Sequence, residues 1–172
     1  MILRFSFKKI KLFSNLDSKN HKMRILICLC LCLSFLSGGA QSSEEAAVRQ
    51  TIETFFKGFH QQDSIIFKGV VSDQVIIQTI ANKGDSTYVR SEKYTDFVKH
   101  IINIPNTTRF EEKLLSFNIQ IDGPMAHAWT PYEFWLDDAF SHCGVNSFQL
   151  LKDLGSWKII YIIDTRRKEG CQ

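Results

Sequence analysis

The chain has 172 residues, a length that fits one domain, and 44% of them are hydrophobic, including 14 Phe, enough for a buried core. Its formal net charge of +3 belongs to the N-terminus: residues 1–40 hold 7 Lys plus Arg against 1 Asp, which leaves 14 against 17 acids from Gln41 onward, about −3. That remainder has no electrostatic footprint for nucleic acid or an anionic membrane, and internal repeats and low-complexity tracts are absent.

The stretch "KMRILICLCLCLSFLSGGAQ" sets basic Lys22 and Arg24 before an apolar run from Ile25 to Leu36 and the small residues Ser37, Gly38, Gly39 and Ala40. This is the order of a secretory signal peptide cut near Ala40. The run falls below the roughly 20 residues of a membrane-spanning helix, so a retained anchor is the alternative reading, and no cysteine stands at the cut to carry a lipid. Met23 is a second candidate start, with residues 1–22 as an upstream extension. The expectation is a secreted or periplasmic domain over residues 41–172, free of the membrane after cleavage. Cys28, Cys30 and Cys32 leave with the leader, and the remaining Cys143 and Cys171 are a disulfide candidate in an oxidising compartment.

Ser42 with Glu45 three residues later has the capping-box pattern, and Val48, Ile52, Phe55, Phe56 and Phe59 follow at helical spacing. After a polar break at Gln61–Asp63, "SIIFKG" reads as one or two helical turns capped by Asp63 or Ser64. "SDQVIIQTIANKGDSTYVR" alternates like a hairpin turning at Asn82–Asp85. Ser91 is expected to cap a helix through "EKYTDFVKHII", with Tyr94, Phe97, Val98, Ile101 and Ile102 as its stripe and Pro105 beyond its end. From Phe110 four strands follow, "FEEKLLSFNIQI", "MAHAWTPYEFWL", "CGVNSFQLLK" and "WKIIYIIDTR", joined by hairpin turns into an antiparallel meander. Helices followed by a sheet predict an α+β architecture, a curved antiparallel sheet wrapped around the N-terminal helices.

Pairing the last strands through their turns places Trp129, Glu133 and Trp135 with His142, Asn146, Phe148 and Leu150, beside Trp157, Ile159, Tyr161 and Ile163. This set holds more large aromatics and is assigned to the concave face. Tyr132, Phe134, Cys143, Val145, Ser147, Gln149, Lys158 and Arg166 then face outward. The concave face, with Phe55 and Phe59 from the first helix, makes a pocket for a small apolar or aromatic ligand, in which Glu133, Asn146 and Tyr161 are polar groups. Tyr88 and Arg90 could reach its mouth, or Arg90 could pair with Glu92 or Asp96 on the surface.

Glu133 is a candidate general base if desolvated, or else pairs with an arginine or lies at the rim. His60 is a second candidate, or a solvated helix-end histidine. His142 and Cys143 are strand neighbours that point to opposite faces, so they do not form a dyad. Cys143 lies opposite roughly Arg166, near enough for the tail to bring Cys171 to it. His100, His127 and His142 are scattered and no HxxxH or CxxC spacing lies outside the leader, so neither a metal nor another cofactor is expected.

The element order, with "AHAWTPYEF", "CGVNSFQL" and "GSWKI" inside it, resembles the nuclear transport factor 2-like superfamily over Glu44–Arg167. That superfamily has a cone-shaped, cystatin-like α+β roll and includes ketosteroid isomerase and the SnoaL-like polyketide cyclases; secreted bacterial proteins of the lumazine-binding type are the most similar. The resemblance implies a pocket inside the cone and a homodimer formed through the outer sheet face. It also implies a test of activity, because the isomerase sets a carboxylate base against a tyrosine and a protonated aspartic acid. The first helix here offers Phe55, Phe56, Phe59 and His60 where that tyrosine would stand, and a phenylalanine cannot donate to an enolate oxygen. The expectation is therefore a non-catalytic small-molecule binder. An isomerase, dehydratase or cyclase using Glu133 or His60 is the alternative, and a dimeric interaction module using Tyr132, Phe134 and Gln149 the third reading.

Overall fold

The computed structural model describes residues 41–171; the expected signal peptide and its cleavage point lie outside them. Glu44–Gln172 form one compact unit. Its first helix, α1 (residues 44–61 of this unit), buries Val48, Ile52, Phe55, Phe56 and Phe59, the five positions that the helical period marks. Residue 42 is itself helical, so Ser42 is not the cap the sequence suggests. α1 ends at Gln62, which takes a left-handed φ of 55°. The Gln62 side chain donates to the carbonyls of Ile101 and Ile104 at 2.7 and 2.8 Å, which ties the chain reversal to the end of the third helix.

Asp63 caps α2 (Ser64–Val70): its carboxylate accepts from the N–H groups of Ile65 and Ile66. The hairpin β1 (Val71–Lys83) and β2 (Ser86–Glu92) follows, then α3 (Tyr94–Ile102). Ser91 does not cap α3, because it is still paired in β2, and Lys93 takes the cap position without a side-chain bond.

The long strand expected from Phe110 is two, β3 (Phe110–Leu114) and β4 (Asn118–Asp122), each pairing with a different half of β5 (Met125–Leu136). β6 (Ala139–Asp153) and β7 (Ser156–Arg167) complete a seven-stranded sheet in the order β2-β1-β7-β6-β5-β3, with β4 also on β5. The sheet is mixed where the sequence predicts an antiparallel one: β7 returns beside β1 in parallel, while every other pair is antiparallel. The helices pack on one face, where Phe55 meets the rings of Phe56, Phe67 and Phe148 at centroid distances of 5.4, 5.2 and 6.4 Å.

Two bulges decide which residues face that core. Next to the β5–β6 turn the pairs are Leu136↔Ala139 and Trp135↔Phe140, but the next is Phe134↔His142, so Ser141 is an extra residue on β6. On β7, Leu150↔Ile159 is followed by Gln149↔Tyr161, which leaves Ile160 extra. Beyond each bulge the parity reverses. Tyr132 and Phe134 on β5, and Arg166 on β7, therefore face inward, against the outward assignment made from the turns, and Trp129, Glu133, Trp135 and Tyr161 face outward. Trp129 is 48% exposed where Tyr132 is 1% exposed.

Cys143 and Cys171 are bonded, with Cα atoms 5.8 Å apart. The bridge pins the tail to β6 beside Arg167, which pairs with Cys143 across the strands. Cys171→Ser should lower stability by about 3 kcal/mol, because a loop spanning 28 residues is no longer closed in the unfolded chain. Denaturant midpoints of the oxidised protein and the variant would check this.

Candidate functional site

Between the helices and the sheet lies a cavity of about 690 Å³. Phe55, Phe56 and Phe59 from α1, Phe97 from α3, Phe110 from β3 and Phe134 and Phe148 from the sheet make its walls aromatic. Leu136, exposed Arg90 and His100, and Glu92 carry it to the surface, where His100 Nδ1 lies 2.6 Å from Glu92 Oε1.

The inner end is polar and is built by strand alternation. In β3, Phe110, Glu112 and Leu114 share the inward face, so Glu112 projects among apolar neighbours and its remaining free surface opens into the cavity. Asn146 of β6 donates through its amide to Glu112 Oε1 at 2.7 Å. The Glu112 main-chain N–H donates to His60 Nε2 at 3.0 Å, which fixes that ring in α1 as a neutral acceptor. Burial pushes the Glu112 carboxyl up to about 7; the Asn146 bond opposes the rise, Asp164 adds to it and Arg166 counters it.

Around this carboxyl, Arg166 Nε donates to Asp164 Oδ2 at 2.8 Å. The Tyr132 hydroxyl donates to the Thr165 carbonyl at 3.0 Å and reaches Asp164 Oδ2 at 3.4 Å. Burial raises the Tyr132 pKa far above the ordinary phenol value, and Glu112 and Asp164 reinforce it, so the group stays a neutral donor. His142 stacks on Phe134 with centroids 4.9 Å apart. Its pKa is lowered, first by burial and then by the charge of Arg166. His60 is likewise lowered by burial, against a smaller opposing pull from Glu111.

Of the residues proposed for the pocket, Phe55, Phe59, Arg90, His142, Asn146 and Phe148 line the cavity. Tyr88 does not: it pairs with Ala81, two residues along β2 from the Arg90↔Thr79 pair, toward the turn and away from the mouth. Trp129, Glu133, Trp135 and Tyr161 are turned outward by the bulges. Glu133 accepts from Trp135 Nε1 at 3.0 Å, and Tyr161 donates to the Gln78 side chain, so Glu133 is not a base for this cavity. His60 sits outside the lining, with its lone pair engaged. Glu112 and Asp164 have no place in the sequence reading of the pocket, and Tyr132 and Arg166, assigned there to the outer face, line it as well. For Glu112 the signal was present in "FEEKL", where parity alone sets the second glutamate on the face of Phe110 and Leu114. Among the described residues, no three His, Cys, Asp or Glu side chains converge as a metal site.

No protein-family model matches the chain, and no curated protein sequence does. Solved structures do. One is a nuclear transport factor 2-like protein of unknown function from Shewanella baltica, with TM-score 0.55 and 19% identity over 74% of this chain and 97% of that one. A second, from Nostoc punctiforme, is of unknown function with a cystatin-like fold, with TM-score 0.57 and 10% identity over 73% and 92%. A third, a provisional dehydratase of the nuclear transport factor 2-like family from Streptomyces avermitilis, matches at TM-score 0.56 and 11% identity over 74% and 98%. With its helices against one face of a mixed, mostly antiparallel sheet, the chain has the nuclear transport factor 2-like fold.

Proposed function

We propose that the domain binds a small apolar or aromatic molecule inside the cone. The observation that carries this reading is the cavity itself: its roughly 690 Å³ lie within the range of small-molecule sites, and its aromatic walls meet a few convergent polar groups at one end. Had Phe and Trp side chains filled the cone, the reading would have lost its basis. Titration with an apolar fluorophore whose emission rises on leaving water should give saturable binding of one equivalent per domain. Non-saturable, weak enhancement would reject a formed site.

A second reading is proton-transfer catalysis of the isomerase, dehydratase or cyclase type, with Glu112 in the role first given to Glu133. Its support is a carboxyl raised to about 7 that faces the cavity beside the donors Asn146 and Tyr132. A bound carbon acid should then exchange its acidic hydrogen for deuterium faster than in buffer.

Export and self-association belong to the same proposal. The basic, apolar and small-residue order of the leader and the Cys143–Cys171 bridge support a secreted or periplasmic domain. The outer face supports a homodimer, since Met125, Trp129 and Leu151 are 54%, 48% and 42% exposed there. Light scattering of the mature protein should give twice the chain mass and, for Trp129→Arg, the monomer mass. A monomer from the unaltered protein would dispose of the dimer.

A further inference from the structure

The charges around the cavity restrict what it can hold. At the mouth, Glu92 meets His100, and exposed Arg90 lies in solvent reach. At the inner end, two carboxyls stand against one guanidinium. Asp164 takes Arg166, while Glu112, among the described residues, receives only the neutral amide of Asn146 on one oxygen. The polar groups around Glu112 come from one helix and three strands. His60 of α1 accepts its main-chain N–H; Tyr132 of β5 directs its hydroxyl to Thr165 and Asp164; Asn146 and His142 come from β6, and Asp164 and Arg166 from β7. None of them supplies a second positive charge, because His60 is held neutral as an acceptor and His142 is disfavoured as a cation by burial and by Arg166.

A carboxylate with one free oxygen at the end of an aromatic cavity complements a cation that carries an apolar body. An ammonium gives that oxygen a charge-assisted hydrogen bond, and the phenylalanine rings offer it π faces while covering its hydrocarbon part. We propose that the cavity selects a small amine, bound as its ammonium, with Glu112 as counter-ion. The inference rests on the ligand-binding reading above and specifies its chemistry. Binding has a proton balance: where Glu112 is protonated, the arriving ammonium displaces that proton to solvent, so the amine's affinity rises with pH until Glu112 is fully ionised.

The test uses the mature, disulfide-bonded domain and three probes of one shape: phenylbutylamine, phenylbutanol and phenylbutyrate, titrated calorimetrically. At pH 8 the amine should bind at least about tenfold more tightly than the alcohol, in keeping with one charge-assisted hydrogen bond in a desolvated site. Its affinity should be about tenfold lower at pH 6 than at pH 8, the change expected of a carboxyl titrating near 7, while the alcohol's should not follow this trend. Glu112→Gln should erase the amine's advantage and its pH dependence together. Equal affinities for amine and alcohol would overturn the charge selection while leaving a binding cavity, and tightest binding of phenylbutyrate would assign the selection to the arginines instead. Failure of all three to bind would overturn both this inference and the reading beneath it.

Discussion

Gly144→Ala should destabilise the domain by about 3 kcal/mol, the sum of overpacking and a disturbed buried hydrogen bond. Gly144 lies on β6 between Tyr132 of β5 and Arg166 of β7. A Cβ added there would overlap the Thr165 carbonyl oxygen and come within 2.8 Å of Tyr132 Cε1. The first obstacle is backbone, so it cannot rotate aside, and the second is a ring that is 1% exposed. Relief requires β6 and β7 to part or Tyr132 to leave its place, and either movement breaks the bond from its hydroxyl to Thr165. The glycine is needed for this close approach and not for its backbone angle, since Gly144 is not among the positive-φ residues. The melting temperature should fall by about 10 °C for a domain of this size. Alanine at the adjacent outward position, Val145, should be far milder, because that side chain meets neither obstacle. Equal stability of Gly144→Ala and the unaltered domain would contradict the described packing of Tyr132.

Periodicity made the helices and the disulfide legible, and parity failed where the chain breaks its own period. In α1 the spacing of Val48, Ile52, Phe55, Phe56 and Phe59 selects one face, and those residues are buried. Cys143 and Cys171 could be paired because a hairpin and a short tail leave little choice of geometry. The element order sufficed for the fold, but the register had to come from bonds that alternation does not record. Both faces of β5 carry large aromatics, Trp129 and Trp135 on one side, Tyr132 and Phe134 on the other, so hydrophobicity did not rank them. The single extra residues at Ser141 and Ile160 then inverted the assignment made by counting back from the turns.

The same inversion explains which part of the site was visible. His142, Asn146 and Phe148 lie beyond the Ser141 bulge on their own strand, so their mutual parity was unaffected and all three line the cavity. Glu133 was chosen by its partners across the turn and followed them to the wrong face. Glu112 was passed over because a Glu-Glu-Lys run has the look of a solvated strand, although only Glu111 and Lys113 of that run face outward, where they form an ion pair. Arg166 and Asp164 share the inward face past the second bulge, and their pairing follows from that register.

Glu112→Gln should stabilise the domain at pH 8 by about 3 kcal/mol, the free energy that corresponds to a carboxyl moved from 4.5 to about 7. The direction follows from linkage. In the folded state this group holds its proton up to about pH 7, and in the unfolded chain it releases it near 4.5, so between those values the folded state binds more protons and stability falls as pH rises. Above about 7 the penalty is complete, and below 4.5 it is absent. Glutamine keeps an acceptor for the Asn146 amide and never ionises, so it removes the penalty without removing the bond. The unaltered protein's curve alone would hide part of this effect. His60 and His142 have lowered pKa values, which makes stability rise with pH below their unfolded value near 6.5, opposite to the contribution of Glu112. Subtracting the curve of the unaltered protein from that of Glu112→Gln cancels the histidines to the extent that the variant leaves them in place. The difference should be near zero at pH 4, grow through pH 5 to 7 and level off at pH 8, as read from urea unfolding at each pH. A flat difference would show that the Glu112 carboxylate is already compensated inside the fold, and the excess negative charge that recommends an ammonium ligand would no longer exist.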